Sequence, residues 1–183
     1  MSNEIARAFI LRARAFLLSD YLPKIERSLE QLTDDQVWAR PNAESNSIGN
    51  LILHLCGNSR QWIISGLGNQ PDQRTRDAEF AQRGGSTKEE LVDKLRATLA
   101  EVEGVLTSLN STTLLEKRTI QGKEVDVLEA IFHVTEHFSM HTGQIIFLTK
   151  LLTASDLRFY DFEDGVPVQR WHFARSPHSD KKE

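Results

Sequence analysis

The chain has 183 residues, 39% hydrophobic and 26% charged, which is enough to bury a core without covalent staples. A net charge of −4 and a pI near 5.9 give no electrostatic footprint for nucleic acid, and no apolar run approaches the roughly 20 residues of a membrane span. The single cysteine, Cys56, excludes an internal disulfide and any Cys-rich zinc motif, and Met1-Ser2-Asn3-Glu4 lacks the basic region that opens a signal peptide.

A soluble cytoplasmic protein with no membrane or nucleic-acid partner is therefore expected. Along the chain, Ile5, Phe9, Phe16, Leu18, Leu22, Ile25, Leu29 and Leu32 recur mostly every three or four residues. That is the stripe of an amphipathic helix, which Pro23 bends or divides. Thr33-Asp34-Asp35-Gln36 has capping-box form and opens a short helical turn that must end before Pro41. Asn42 to Ser47 reads as a polar loop, with Ser47 suited to cap a second helix from Ile48 to Leu67. Gly66-Leu67-Gly68 then stops that helix.

Residues 68 to 85 form a polar connection without strong periodicity. Ser86-Thr87-Lys88-Glu89 repeats the capping-box form, and Leu91, Leu95, Leu99, Val102, Leu106 and Leu109 trace the inner face of a third helix. Thr119-Ile120-Gln121-Gly122 reads as a brief extended stretch turning at the glycine, and no convincing pair of strands appears. A fourth helix runs from about Val125 to Leu152, apolar nearly all round and so expected to be buried on several sides. Four such helices predict an all-α four-helix bundle, with residues 68 to 85 able to cross over. Phe159, Tyr160, Phe162, Trp171 and Phe173 predict that the C-terminal extension folds back on the bundle. One domain, 1–173, is expected, followed by a polar frayed tail, Ala174 to Glu183.

The fourth helix carries His133, His137 and His141 at intervals of four. Four residues advance a helix by about one turn and 6 Å, so each imidazole stands nearly above the last, and two so stacked can grip one divalent ion. His54, in the second helix, is placed to close a three-histidine set. His133 and His141 lie roughly 12 Å apart, too far to share an ion. The metal therefore uses either His133 with His137 or His137 with His141, and spacing leaves that choice open. Glu136 stands about 100° round the helix from His137 and is a poor ligand, whereas Gln144 can bond a ligand ring. Asn50 and Asn58, one turn to either side of His54, line the pocket or satisfy polar contacts. Cys56 points away from His54 and reads as a small buried apolar residue, and His172 and His178 are given no role. Arg74, Arg76 and Arg83 either bind the carboxylates of a small thiol or belong to a solvated charged loop.

His137-Phe138-Ser139-Met140-His141-Thr142-Gly143-Gln144-Ile145 resembles the His-x-x-x-His-x-Gly-Gln-Ile signature of the DinB/YfiT-like superfamily. Leu51-Ile52-Leu53-His54-Leu55 looks like that family's first-ligand region, and the resemblance runs from roughly Ile5 to Phe162. Asp156-Leu157-Arg158-Phe159-Tyr160-Asp161-Phe162 looks like the tail of an uncharacterised bacterial branch. The resemblance implies a four-helix bundle with a long crossover, a divalent ion (zinc or nickel) and a homodimer. It places the ligands at His54, His137 and His141, with His133 a supporting or pocket residue. Three neutral ligands leave the ion its full charge, which lowers the pKa of bound water or thiol. That chemistry allows thiol transfer or hydrolysis. The proteins this chain resembles include enzymes that use low-molecular-weight thiols, so the resemblance implies a metal-dependent thiol S-transferase that joins such a thiol cosubstrate to small electrophiles. The alternatives are a metal-dependent hydrolase and a non-catalytic, stress-associated metal- or ligand-binding dimer.

Overall fold

The computed structural model describes residues 3–170. The first apolar stripe forms α1 (Asn3–Phe16) and α2 (Leu22–Glu30), joined by a π-helical turn at Leu17–Tyr21. Pro23 has no N–H to offer the preceding turn, and the wider winding lets the Leu22 N–H reach the Leu17 carbonyl. The division expected at Pro23 is thus resolved just ahead of it. Ala6, Ile10, Ala13, Leu17, Ile25 and Leu29 are buried along its inner side.

α3 (Asp34–Trp38) opens with the expected box between Thr33 and Gln36. α4 (Ile48–Ser59) is capped by Ser47, with Asn50 returning the bond to the Ser47 N–H. It continues as a second π-helical turn, Arg60–Ser65. The connection that showed no periodicity holds a short helix, α5 (Arg76–Ala81). It has no side-chain cap and no buried residue, so it lacks the signals from which a helix is read. α6 (Lys88–Ser108) is capped by Thr87 with Glu90, one residue later than the Ser86–Glu89 box the sequence suggests. Ser86 stays in the loop, where its carbonyl accepts the Trp38 Nε1–H at 2.8 Å.

Two antiparallel hairpins correct the expectation of no strand pair. β1 (Lys117–Ile120) pairs with β2 (Lys123–Asp126), and β3 (Tyr160–Glu163) with β4 (Val166–Gln169). Each strand is four residues long, too short to show alternation. The first hairpin turns at Gln121 and Gly122, both at positive φ, where the glycine pointed. α7 (Val127–Thr153) follows, capped by Asp126 on the Glu129 N–H.

The fold is an all-α bundle in which α4 packs on α6 and α7, α2 on α7 and α6, and α1 on α7. α5 lies across α4, so the crossover covers the helix that carries His54. α7 is buried along its length, with Phe132, Met140, Phe147 and Leu151 exposed on one side. The extension is held by buried Leu157, whose carbonyl accepts from Arg27 Nε, whereas Phe162 is 71% exposed. Trp171, Phe173, His172, His178 and the expected tail from 174 lie outside the described residues.

Candidate metal centre

α4 presents His54 to the face of α7 that bears His133, His137 and His141. His54 Nε2 lies 2.8 Å from His137 Nε2. One nitrogen from each of His54, His137 and His141 falls within 4.8 Å of the others. His133 is not in this group. Its ring stacks on Trp62, centroids 3.9 Å apart, and Asn58 Nδ2 donates to its Nε2 at 3.1 Å. The indole comes from the second π-helical turn and walls off that side of the cluster.

Each ring's outer nitrogen decides what its inner one can do. Gln144 Oε1 lies 2.7 Å from His141 Nδ1 and accepts its proton. His141 Nε2 is then left buried without a hydrogen-bond partner among the described residues. His54 Nδ1 lies 2.9 Å from Glu79 Oε2. Glu79 belongs to α5, and sequence reasoning missed it: an acid in a polar connection bears no spacing relation to a histidine 25 positions earlier. Trp62 was missed as well, since an aromatic on a helix reads first as core.

Arg74 is neither of the things the sequence offered. Its side chain is only 4% exposed, and Nε and Nη2 bond the two Glu79 oxygens at 2.8 and 2.9 Å. Arg76 sits over the Phe80 ring and Arg83 donates to the Phe80 and Gln82 carbonyls, so the three arginines do not converge on the site. Asn50 spans the elements, its Nδ2 donating to the Glu79 and Gln82 carbonyls at 2.8 and 2.9 Å. It serves polar contacts, the second of its two sequence readings.

Burial pushes His137 down to about 3, helped by repulsion from His141, His54, His133 and Arg74. Burial lowers His133 and His141 too. Desolvation alone would raise Glu79, but hydrogen bonds from Arg74 and His54 hold it below the usual carboxylate range. The neutral imidazole is thus favoured at His133, His137 and His141, beside an ionised carboxylate. Neutral imidazole is the form that ligates, and converging nitrogens with an orphaned buried Nε2 suit a divalent ion that favours nitrogen donors.

Residues 4–165 match the profile of a family described as a protein of unknown function, DUF1572. The chain belongs to this family. Two solved structures resemble this DUF1572 chain in fold. One is a conserved protein from Enterococcus faecalis (TM-score 0.61, 16% identity), covering 85% of this chain and 99% of its own. The other is a DinB-like protein from Bacillus cereus (TM-score 0.56, 18% identity), covering 74% of this chain and 90% of its own. No curated protein matches the sequence. No helix among the described residues is long and apolar enough to cross a membrane.

Proposed function

We propose that the protein binds one divalent ion, zinc or nickel, through His54, His137 and His141, and uses it in the cytoplasm to transfer a low-molecular-weight thiol to a small electrophile. The observation that supports this is the convergence of three imidazole nitrogens within 4.8 Å. The orphaned His141 Nε2 strengthens it, because a buried nitrogen without a partner is costly unless something binds it. A divalent ion there supplies Lewis acidity, which favours the anionic form of a nearby thiol or water. The chain's own residues do the rest. Gln144 holds the His141 ring, and the Trp62–His133 stack limits water on one side. In the transfer a sulfur–carbon bond forms as the electrophile's leaving group departs or its ring opens, and the thiol proton passes to solvent.

A second reading is a non-catalytic, stress-associated metal- or ligand-binding protein. It is favoured by the commitment of Arg74 to Glu79, which removes the cation best placed to hold a thiol's carboxylate. Elemental analysis of gently purified protein, followed by incubation with a thiol and a chlorinated aromatic or an epoxide, separates the two. About one metal per chain, with adduct formed faster than by His141→Ala, supports the transferase. Metal without adduct supports the binding role, unless ester or amide cleavage appears and points to a hydrolase.

A homodimer is part of the proposal. Phe132, Met140, Phe147 and Leu151 lie along one side of α7 and are exposed, an apolar stripe suited to cover by a second copy. Light scattering should return twice 20.8 kDa, and Phe147→Glu should return 20.8 kDa. A wild-type mass of 20.8 kDa across micromolar concentrations rejects the dimer.

A further inference from the structure

We propose that Glu79, held by Arg74 and seated against Gly57, is a positioning residue that fixes which nitrogen of His54 is free for the ion; this rests on the three-histidine reading above. His54 Nδ1 faces Glu79 Oε2 at 2.9 Å and Arg74 Nη2 at 3.1 Å. A carboxylate only accepts hydrogen bonds and a guanidinium only donates them. If Nδ1 were bare, its lone pair would face the carboxylate's own. With the proton on Nδ1 every group is satisfied: Nδ1–H donates to Oε2, and Arg74 Nη2 donates to the same oxygen at 2.9 Å. That tautomer leaves Nε2 with its lone pair aimed at His137. Donation of the outer ring N–H to a carboxylate is the arrangement that orients ligating histidines in general.

The carboxylate is braced from several elements. Arg74 Nη1 donates to Gln61 Oε1 at 2.9 Å, and that same oxygen accepts from Gln121 at the β1–β2 turn. Asn50 clips the Glu79 backbone to α4 one turn before His54. The side chains of Arg74, Glu79 and His54 are 4%, 10% and 7% exposed, so water is poorly placed to substitute.

Gly57 gives the independent observation. A Cβ there would fall 1.9 Å from Glu79 Oε1, 2.7 Å from its Cδ and 3.1 Å from Arg74 Nε. Glycine is a poor residue for the middle of a helix, where alanine would favour the helical state. At 57, three residues after His54 and on a neighbouring part of the same face, it leaves the space that the carboxylate occupies.

Two variants and two readouts test this. Imidazole nitrogen NMR on chelator-treated protein reports the His54 tautomer, and zinc titration against a competing dye reports affinity. Wild type should show Nδ1–H. Glu79→Gln keeps the shape but sets its amide N–H₂ against either Arg74 or His54. It should mix the tautomers and weaken zinc about 10- to 100-fold. Gly57→Ala should evict the carboxylate and do the same while the helical circular dichroism is kept. Asp77→Asn, which removes the same charge from an exposed position of α5, should change neither readout. Wild-type tautomer and affinity in both Glu79→Gln and Gly57→Ala would overturn the proposal. If wild type takes up neither zinc nor nickel, the metal reading fails by itself, and the tautomer comparison still decides what Glu79 does to His54.

Discussion

His54 Nε2 and His137 Nε2 lie 2.8 Å apart although 83 positions separate them in the chain. Two ring nitrogens at that distance need a shared proton or a shared ion, because two bare lone pairs repel. His54 already spends a proton on Glu79, and His141 spends one on Gln144. The proton between the two rings is therefore His137's own, and an ion bound there would take its place.

The ligand roles make the histidines unequal. His54→Ala, His137→Ala and His141→Ala should each reduce zinc affinity by more than the roughly 10- to 100-fold that loss of a supporting partner costs. His133→Ala should stay within that smaller range, since His133 touches Trp62 and Asn58 and lies outside the triad. Isothermal titration on the four variants decides the point. Equal loss at His133 would return the site to the His133–His137 pair that spacing alone allows.

Much of this was legible in the sequence. His137 and His141 share a face because they are four apart, and the helix bearing His54 announces itself through Ser47 and a run of apolar residues. What sequence did not show was anything that depends on where a polar segment docks. Glu79 and Arg74 acquire their meaning only once the crossover lies over α4, and Gly57 reads as an ordinary weak point of a helix until the carboxylate fills the space beside it. The hairpins escaped because four-residue strands carry almost no periodic signal. The exposed side of α7 escaped for the opposite reason: Phe132, Phe147 and Leu151 are apolar, and apolarity does not say whether a neighbour is present.

Acid should unfold metal-free protein. His137 stays neutral in the folded state down to about 3, whereas an imidazole in the unfolded chain protonates near 6.5. Between those values the unfolded state binds a proton that the folded state refuses, so stability present above about pH 6.5 is lost as pH falls towards 3. His133 and His141, lowered by burial, act in the same direction. The thermal midpoint of chelator-treated protein should fall by several degrees from pH 7 to pH 5, at roughly 2–4 °C for each kcal/mol lost. A midpoint that holds or rises would contradict the buried neutral cluster.

Cys56 should be inert. It is 1% exposed, and burial pushes its thiol up to about 11, so little thiolate exists at neutral pH. A disulfide reagent should titrate no thiol in the native protein over minutes and one per chain in denaturant. Rapid native reaction would make Cys56 a candidate nucleophile. The expected result instead requires that the sulfur in any thiol transfer come from a cosubstrate.

The start of α6 gives a test of how far a capping motif can be trusted by one residue. The Thr87 hydroxyl accepts the Glu90 N–H and the Thr87 N–H donates to the Glu90 carboxylate, two orphan groups satisfied reciprocally. Ser86, the cap suggested by its own distance from Glu89, instead uses its backbone carbonyl to hold Trp38. That contact survives any change of its side chain. Thr87→Ala should therefore cost about 1 kcal/mol in urea unfolding, while Ser86→Ala should stay within about 0.5 kcal/mol of wild type. The reverse order would start α6 one residue earlier. It would also detach the loop from Trp38, whose ring packs so closely on Gly49 that a Cβ there would lie 2.8 Å from it. Through Gly49 that loosening would reach the first turn of α4, the helix that sets the height of His54.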